Sequence, residues 1–172
     1  IDYPGEWLLD LPLLAKDYAT WSEDAIAQAR APGRAAASSE WLDRTSETNA
    51  AAPEDEAIAR ELAALFTDYL RRARELPTSL STLPPLPQML RPPGRFLMPG
   101  DLDGSPALTF APLGGAADAP SGSLARMMAR RYEAYKSAVV KPFFRDHFAR
   151  LDRQIVLVDA LQALNGGPEA VR

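Results

Sequence analysis

The sequence lacks cysteine altogether, has a single histidine, and contains no long apolar run among its 172 residues. Without cysteine there is no disulfide, no thiolate zinc site and no cysteine nucleophile. A Ser-His-Asp triad would depend on His147 alone, and a histidine-rich metal site is excluded. The apolar runs, such as residues 155–158, are far shorter than the roughly 20 residues of a membrane-spanning helix.

What is present is the composition of a folded globular protein with an uneven distribution of charge. Hydrophobic residues make up 47% of the chain and charged residues 24%, which are ordinary globular values. Residues 1–62 carry 13 acidic and 5 basic side chains, whereas residues 126–153 carry 8 basic and 3 acidic ones. We expect these two regions to attract each other or to face water; the alternative is an anionic partner for the basic region.

Periodic apolar positions predict several helices. The clearest covers residues 54–75, where Ile58, Leu62, Leu65, Tyr69 and Ala73 follow the spacing of one apolar helix face. Further helices are predicted over residues 18–31, starting near Thr20 or Ser22, over residues 35–47 and over residues 123–141. Pro142 should end or kink the last of these, and a short helix with inward-facing aromatic residues should follow (Phe143, Phe144 and Phe148).

Residues 77–120 hold 10 of the 16 prolines, which excludes long helices there. The segment is too rich in apolar residues for a free linker. We interpret it as ordered, extended chain packed over a core, with a short strand near residues 107–111. The alternative is a proline-rich ligand for a partner protein, centred on residues 83–87.

Two stretches at the ends predict strands of a parallel sheet. Residues 153–159 form a continuous run of β-branched and leucine residues that ends at Asp159, as in strands covered on both faces. Residues 1–5 are interpreted as the tail of another strand. Ligands of open α/β sheets lie beyond the carboxyl ends of such strands.

Asp2 and Gly5 form the pattern D-x-x-G directly after an apolar residue. At a strand end, the carboxylate can hold a Mg²⁺ shell through water, since hard cations prefer oxygen ligands. The glycine can bring its amide close to a terminal phosphate because it has no Cβ. The spacing alone is weak evidence, since residues 101–104 share it and are interpreted as a turn.

Three longer stretches, in the same order along the chain, resemble the bacterial YcjX-like family of P-loop GTPases. Residues 2–13 (DYPGEWLLDLPL) resemble its switch-two segment, and residues 94–106 and 143–165 are similar to later parts of the family. The resemblance implies an α/β fold: part of a Ras-like core of parallel strands with a large, mainly helical insertion. Residues 1–14 would end a core strand and form switch two, residues 15–152 would be the insertion, and residues 153–172 would return to the core.

The same resemblance implies a stress-associated, cytoplasmic protein that binds GTP or GDP with Mg²⁺ and hydrolyses GTP. Asp2 would be the metal-linked carboxylate and Gly5 would sense the γ-phosphate. Glu6 stands where small GTPases often place a glutamine that orients the attacking water, and it would be the catalytic residue. Residues 6–14 would reorder when the γ-phosphate leaves.

Two motifs of a complete nucleotide site are absent from the sequence: the phosphate loop G-x-x-x-x-G-K-[ST] and the guanine-reading [NT]-K-x-D. We expect them before Ile1 and after Arg172, so this excerpt alone should be inactive. The alternative function is a helical module that binds an unidentified protein partner without significant nucleotide turnover. We expect no nucleic-acid partner, and no membrane partner because the basic row on residues 126–136 lacks an opposite free apolar face.

Overall fold

The computed structural model describes residues 5–30, 34–75 and 109–148, and these residues form a helical bundle. Along these residues, a 3₁₀ segment comes first and four α-helices follow it. The last of them is extended by two π-helical turns that flank a short fifth helix. The elements are the 3₁₀ segment Gly5–Ala15, α1 (Tyr18–Ala29), α2 (Ala35–Glu47), α3 (Glu56–Glu75), α4 (Leu124–Tyr135), the π turn Lys136–Val140, α5 (Lys141–Phe143) and the π turn Phe144–Phe148.

The α/β fold class predicted from the sequence is wrong, because the described residues are helical and contain no β-strand. Their one β-type pairing is an isolated bridge between Pro53 and Ser123. The strand predicted near residues 107–111 is absent where the structure describes it, at residues 109–111. The core strands were predicted on residues 1–5 and 153–159. Of these, Gly5 belongs to a 3₁₀ segment and the others lie outside the described residues, so the domain boundaries stay a prediction.

The irregular path of residues 109–111 has a physical reason, since side chains replace a neighbouring strand as hydrogen-bond partners. The carbonyl of Thr109 accepts a bond of 3.0 Å from the Arg131 guanidinium. The carbonyl of Ala111 accepts one of 2.7 Å from the Tyr18 hydroxyl. Phe110, between them, is fully buried, so this segment is held by its own side chain and by two helices.

Helices α1 to α3 confirm the predicted elements, and aspartate caps set the starts of α1 and α3. Asp17 accepts from the amide of Thr20 at 2.8 Å, so α1 begins at Tyr18, earlier than the predicted Thr20 or Ser22. Asp55 accepts from the amides of Ala57 and Ile58 at 2.8 and 3.0 Å, so α3 begins at Glu56. Side-chain oxygens at such positions satisfy the free amides of a first turn.

Pro142 does not end the last helix, contrary to one of the two predicted outcomes. The chain stays helical from Leu124 to Phe148, but α-helical bonding gives way to a π turn on each side of the proline. The amide of Lys141 bonds to the carbonyl of Lys136, five residues back. The prediction that Phe144 lies in the core is wrong, since this ring is 42% exposed.

The core is built on aromatic rings from distant parts of the sequence. Trp21 of α1 is fully buried and stacks on Tyr132 of α4, with ring centroids 5.0 Å apart. Its ring also lies 5.6 Å from Phe110 and 5.8 Å from Phe66 of α3. Trp41 of α2 is likewise buried. One aromatic cluster therefore joins α1, α3, α4 and the segment before α4.

The uneven charge distribution is explained by contacts between the acidic and the basic region. Arg130 of α4 pairs with Glu54 at 2.9 Å, and Arg131 of α4 pairs with Glu56 at the start of α3. The predicted attraction between the two regions is therefore confirmed. At Glu56 the pair is more than a surface contact, because the Arg131 side chain is only 13% exposed.

We predict that the Glu56–Arg131 pair stabilises the fold in a pH-dependent way. The hydrogen bond from Arg131 holds the pKa of Glu56 below its ordinary value. A lowered carboxyl pKa contributes stability that is present above the unfolded-state pKa and lost as the pH falls. We expect Glu56→Gln to lower the free energy of unfolding by about 0.5–1 kcal/mol at pH 7 and by much less at pH 3.

Urea unfolding at the two pH values measures this difference. Asp68→Asn is the matched control, because the Asp68–Arg71 pair joins two side chains that are 50% and 63% exposed. That control should change stability little at either pH. If Glu56→Gln lowered the free energy of unfolding equally at pH 7 and pH 3, the Glu56–Arg131 pair would not be the source of the pH dependence.

Candidate functional site

The predicted site residues lie at and before the start of the described chain. Gly5 and Glu6 open the 3₁₀ segment Gly5–Ala15. Asp2 lies outside the described residues. Their roles stay a prediction, and what the structure describes is how the chain that follows them is held.

Residues 10–16, called the anchor segment below, are seated in the bundle core. Asp10 and Leu13 are both fully buried. Leu11 and Leu14 are partly buried and pack against the same core. A 3₁₀ run of this length is uncommon, because its hydrogen-bond geometry is poorer than that of an α-helix. Tertiary contacts must therefore stabilise it.

The first of these contacts is a buried hydrogen bond between Asp10 and Tyr135. The Tyr135 hydroxyl, at the end of α4, donates to a carboxylate oxygen of Asp10. Both residues are fully buried, although 125 positions separate them in the sequence. A hydrogen bond to an ionised acceptor is about twice as strong as a neutral one.

The second set of contacts closes the end of the 3₁₀ segment. The Tyr132 hydroxyl lies 3.2 Å from the carbonyl oxygen of Leu13 and 3.0 Å from that of Lys16. The Lys136 ammonium donates to the same Lys16 carbonyl at 2.8 Å. The last carbonyls of a helix have no partner within it, so these side chains supply one.

Lys136 is itself held in place on three sides. It is 7% exposed, pairs with Glu133 at 2.9 Å, and lies 5.0 Å from the centroid of the Tyr132 ring. It is also the first residue of the π turn Lys136–Val140. The ammonium thus reaches a backbone carbonyl of the anchor segment while staying buried.

The Tyr132 hydroxyl is a stable hydrogen-bond donor. A tyrosine is protonated in the neutral range at its ordinary pKa of about 10. Burial raises the pKa of Tyr132, and the negative charges of Glu133, Asp17 and Asp10 raise it further, so the proton is retained to still higher pH. The hydroxyl can donate to the carbonyls of the anchor segment without a change of charge.

The residues present offer few ligands for the Mg²⁺ that the family resemblance implies. Within the ranges that the structure describes, no three His, Cys, Asp or Glu side chains converge as metal ligands. Asp2 offers one hard oxygen ligand, which suits Mg²⁺ because this ion keeps several waters and is often held by one or two carboxylates plus phosphates. Asp2 would hold it through water, and the ion would offset phosphate charge.

Similarity to known proteins extends over nearly the whole chain. The model of the YcjX-like family (DUF463) matches residues 1–172. The chain belongs to the YcjX-like family. It is 40% identical to the Ras-like GTPase YcjX of Escherichia coli K12 over 99% of the chain, and 35% identical to the protein of the same name from Shewanella oneidensis over 97%. The predicted family is thereby confirmed.

The chain spans about a third of the length of these relatives, at 36% and 34%. The similarity therefore covers only this part of each relative's sequence. Among the described helices, none is both long enough and apolar enough to cross a membrane.

The contact residues of the anchor segment were not predicted from the sequence. No contact with residues 10–16 was predicted for Tyr132, Tyr135 or Lys136, and Lys136 was considered only as part of the basic row on residues 126–136. One signal was available: Asp10 stands within the apolar run WLLDLPLL, where a carboxylate needs a buried partner. The partner itself could not be named from the sequence.

Proposed function

We propose that the full-length protein is a Mg²⁺-dependent, GTP-binding and GTP-hydrolysing switch protein. The observation that carries the proposal is the 40% identity, over 99% of this chain, to a protein named a Ras-like GTPase. We propose the guanine nucleotide and the metal because of that similarity and because of the D-x-x-G pattern at Asp2 and Gly5.

Three residues of this chain take part in the proposed reaction. Asp2 holds the metal shell through water. The amide of Gly5 donates to the γ-phosphate, which the missing Cβ permits. Glu6 accepts a hydrogen bond from the attacking water and so orients it, as a glutamine does in many GTPases. Its negative charge requires a neighbouring cation to offset that of the phosphates.

The chain holds one part of this site. Its sequence contains no phosphate loop and no guanine-reading motif. In our proposal both come from the remaining two thirds of the protein. The helical bundle then has the task of holding the end of the segment that bears Gly5 and Glu6.

Titration calorimetry of the full-length protein tests the function. We expect heat of binding with GTP and with GDP in the presence of Mg²⁺, a weaker affinity for GTP after chelation of the metal, and no heat with ATP. The absence of heat with both guanine nucleotides would remove the GTPase assignment.

A helical protein-interaction module is the second candidate, and one observation favours it. Phe144 is 42% exposed between the charged, exposed side chains Lys141 and Arg145. An exposed aromatic ring with a basic rim suits a protein partner. GTP binding without measurable hydrolysis in the full-length protein would favour this candidate over the switch.

A further inference from the structure

We infer that Tyr135 is a positioning residue for GTP hydrolysis, because it fixes Asp10 as the stationary end of the segment that carries Glu6. This inference rests on the proposed function and adds a role that the sequence did not indicate. It also narrows the predicted motion: residues 6–9 reorder with the nucleotide, whereas residues 10–16 stay on helix α4.

Residues 10–16 stay in place because moving them would break buried contacts. Moving residues 10–16 would take Leu13 out of the core, where it is fully buried. It would also break the buried hydrogen bonds that the Tyr132 and Tyr135 hydroxyls make to this segment, and one of the two that the Lys136 ammonium makes, the other being to Glu133. Breaking buried hydrogen bonds is costly, so the anchor segment stays bound in both nucleotide states.

The anchor affects the proposed hydrolysis because only a short segment separates Asp10 from Glu6. Glu6 precedes Asp10 by four residues. Four residues span roughly 8 Å along the axis as a 3₁₀ helix and at most about 14 Å when fully extended. A fixed point at Asp10 therefore limits the volume that the Glu6 carboxylate can explore even when residues 6–9 reorder. Rate is sensitive to such placement, and a displacement of about 1 Å can cost about 100-fold.

Loss of the Tyr135 hydroxyl should therefore slow the chemical step without weakening nucleotide binding. The phosphate and base contacts are made elsewhere, so the affinity for GTP does not depend on Asp10. An interaction that matters only in the transition state changes kcat while leaving KM unaltered. A purely structural role of Tyr135 would not produce this division.

The test compares Tyr135→Phe with Tyr18→Phe in the full-length protein. Tyr18 is the matched control, because it is 4% exposed and its hydroxyl donates to the carbonyl of Ala111 at 2.7 Å, not to the anchor segment. Each variant loses one buried tyrosine hydroxyl. We expect kcat for GTP to fall about 10- to 100-fold in Tyr135→Phe with KM and Kd within about twofold, and to stay within about twofold in Tyr18→Phe. An unchanged kcat in Tyr135→Phe, or the same fall in both variants, overturns the inference.

A second measurement tests the anchor independently of GTP hydrolysis. Amide hydrogen exchange of residues 11–16 in the nucleotide-free protein should be at least about tenfold faster in Tyr135→Phe than in wild type, and unchanged in Tyr18→Phe. Lys136→Met, which keeps the aliphatic stem but removes the donor to Lys16, should act like Tyr135→Phe. Unchanged exchange in both anchor variants overturns the inference. A wild-type protein that binds no guanine nucleotide overturns the proposed function and with it the role of Tyr135 in hydrolysis, and the exchange data then show separately whether Tyr135 holds the anchor segment.

Discussion

Replacing Gly5 with alanine is expected to lower GTP hydrolysis by the full-length protein about 100- to 1000-fold, the usual cost of losing one donor to a transition-state oxyanion. In the proposed site, the amide of Gly5 approaches the γ-phosphate closely, and a Cβ at this position would hold it away. The melting temperature should hardly change, since Gly5 comes before the first buried residue of the anchor segment, Asp10. Single-turnover hydrolysis at saturating GTP measures the effect.

Gly114→Ala is the control for the backbone change itself. A Cβ at Gly114 would meet only the tip of Ile26 at 3.9 Å, which is ordinary contact. This variant should hydrolyse GTP at the wild-type rate. If Gly5→Ala did so too, Gly5 would not sense the γ-phosphate and the placement of the site would be wrong.

Trp21→Ala is expected to lower the free energy of unfolding by about 3–5 kcal/mol, the range for removing a large aromatic side chain from a core. Trp21 is fully buried and contacts rings of α3, α4 and the segment before α4. Such a loss is a large part of the 5–15 kcal/mol that typically stabilises a domain. It should also loosen the anchor segment, because Trp21 stacks on Tyr132, whose hydroxyl lies at the Lys16 carbonyl.

Urea unfolding followed by circular dichroism measures this loss. Leu42→Ala provides the comparison, because Leu42 is only partly buried against the core and should cost less. A cost of Trp21→Ala below about 1 kcal/mol would mean that the helices do not share one aromatic core.

The helices could be predicted from the sequence because their signals are local. Helix α2 spans the predicted residues 35–47, and the apolar face predicted for α3 packs on the core. The start of α1 was misplaced because Thr20 and Ser22 are also good caps, and only the bond from the Thr20 amide selects Asp17.

Other features depend on tertiary contacts and could not be predicted. Pro142 is compatible with a helix once π turns surround it, and nothing in the local pattern indicates such turns. The apolar residues 109–111 resemble a strand, yet their carbonyls are bonded by Arg131 and Tyr18. The α/β class was inferred from the ends of the chain, and the described middle is helical.

In the candidate site too, some features could be predicted from the sequence and others depend on tertiary contacts. The pattern at Asp2, Gly5 and Glu6 could be singled out because its spacing and the family resemblance are visible in the sequence. The bond between Asp10 and Tyr135 could not, since 125 positions separate them and Tyr135 fits the apolar face of its helix equally well. Burial identifies this pair, and burial is a property of the fold.

Hydrogen exchange of the full-length protein, loaded first with GDP and then with a non-hydrolysable GTP analogue, tests the central claim most directly. We predict that exchange at residues 6–9 slows in the GTP-analogue state, while residues 11–16 exchange slowly and equally in both. The same exchange at residues 6–9 in both states would contradict the account.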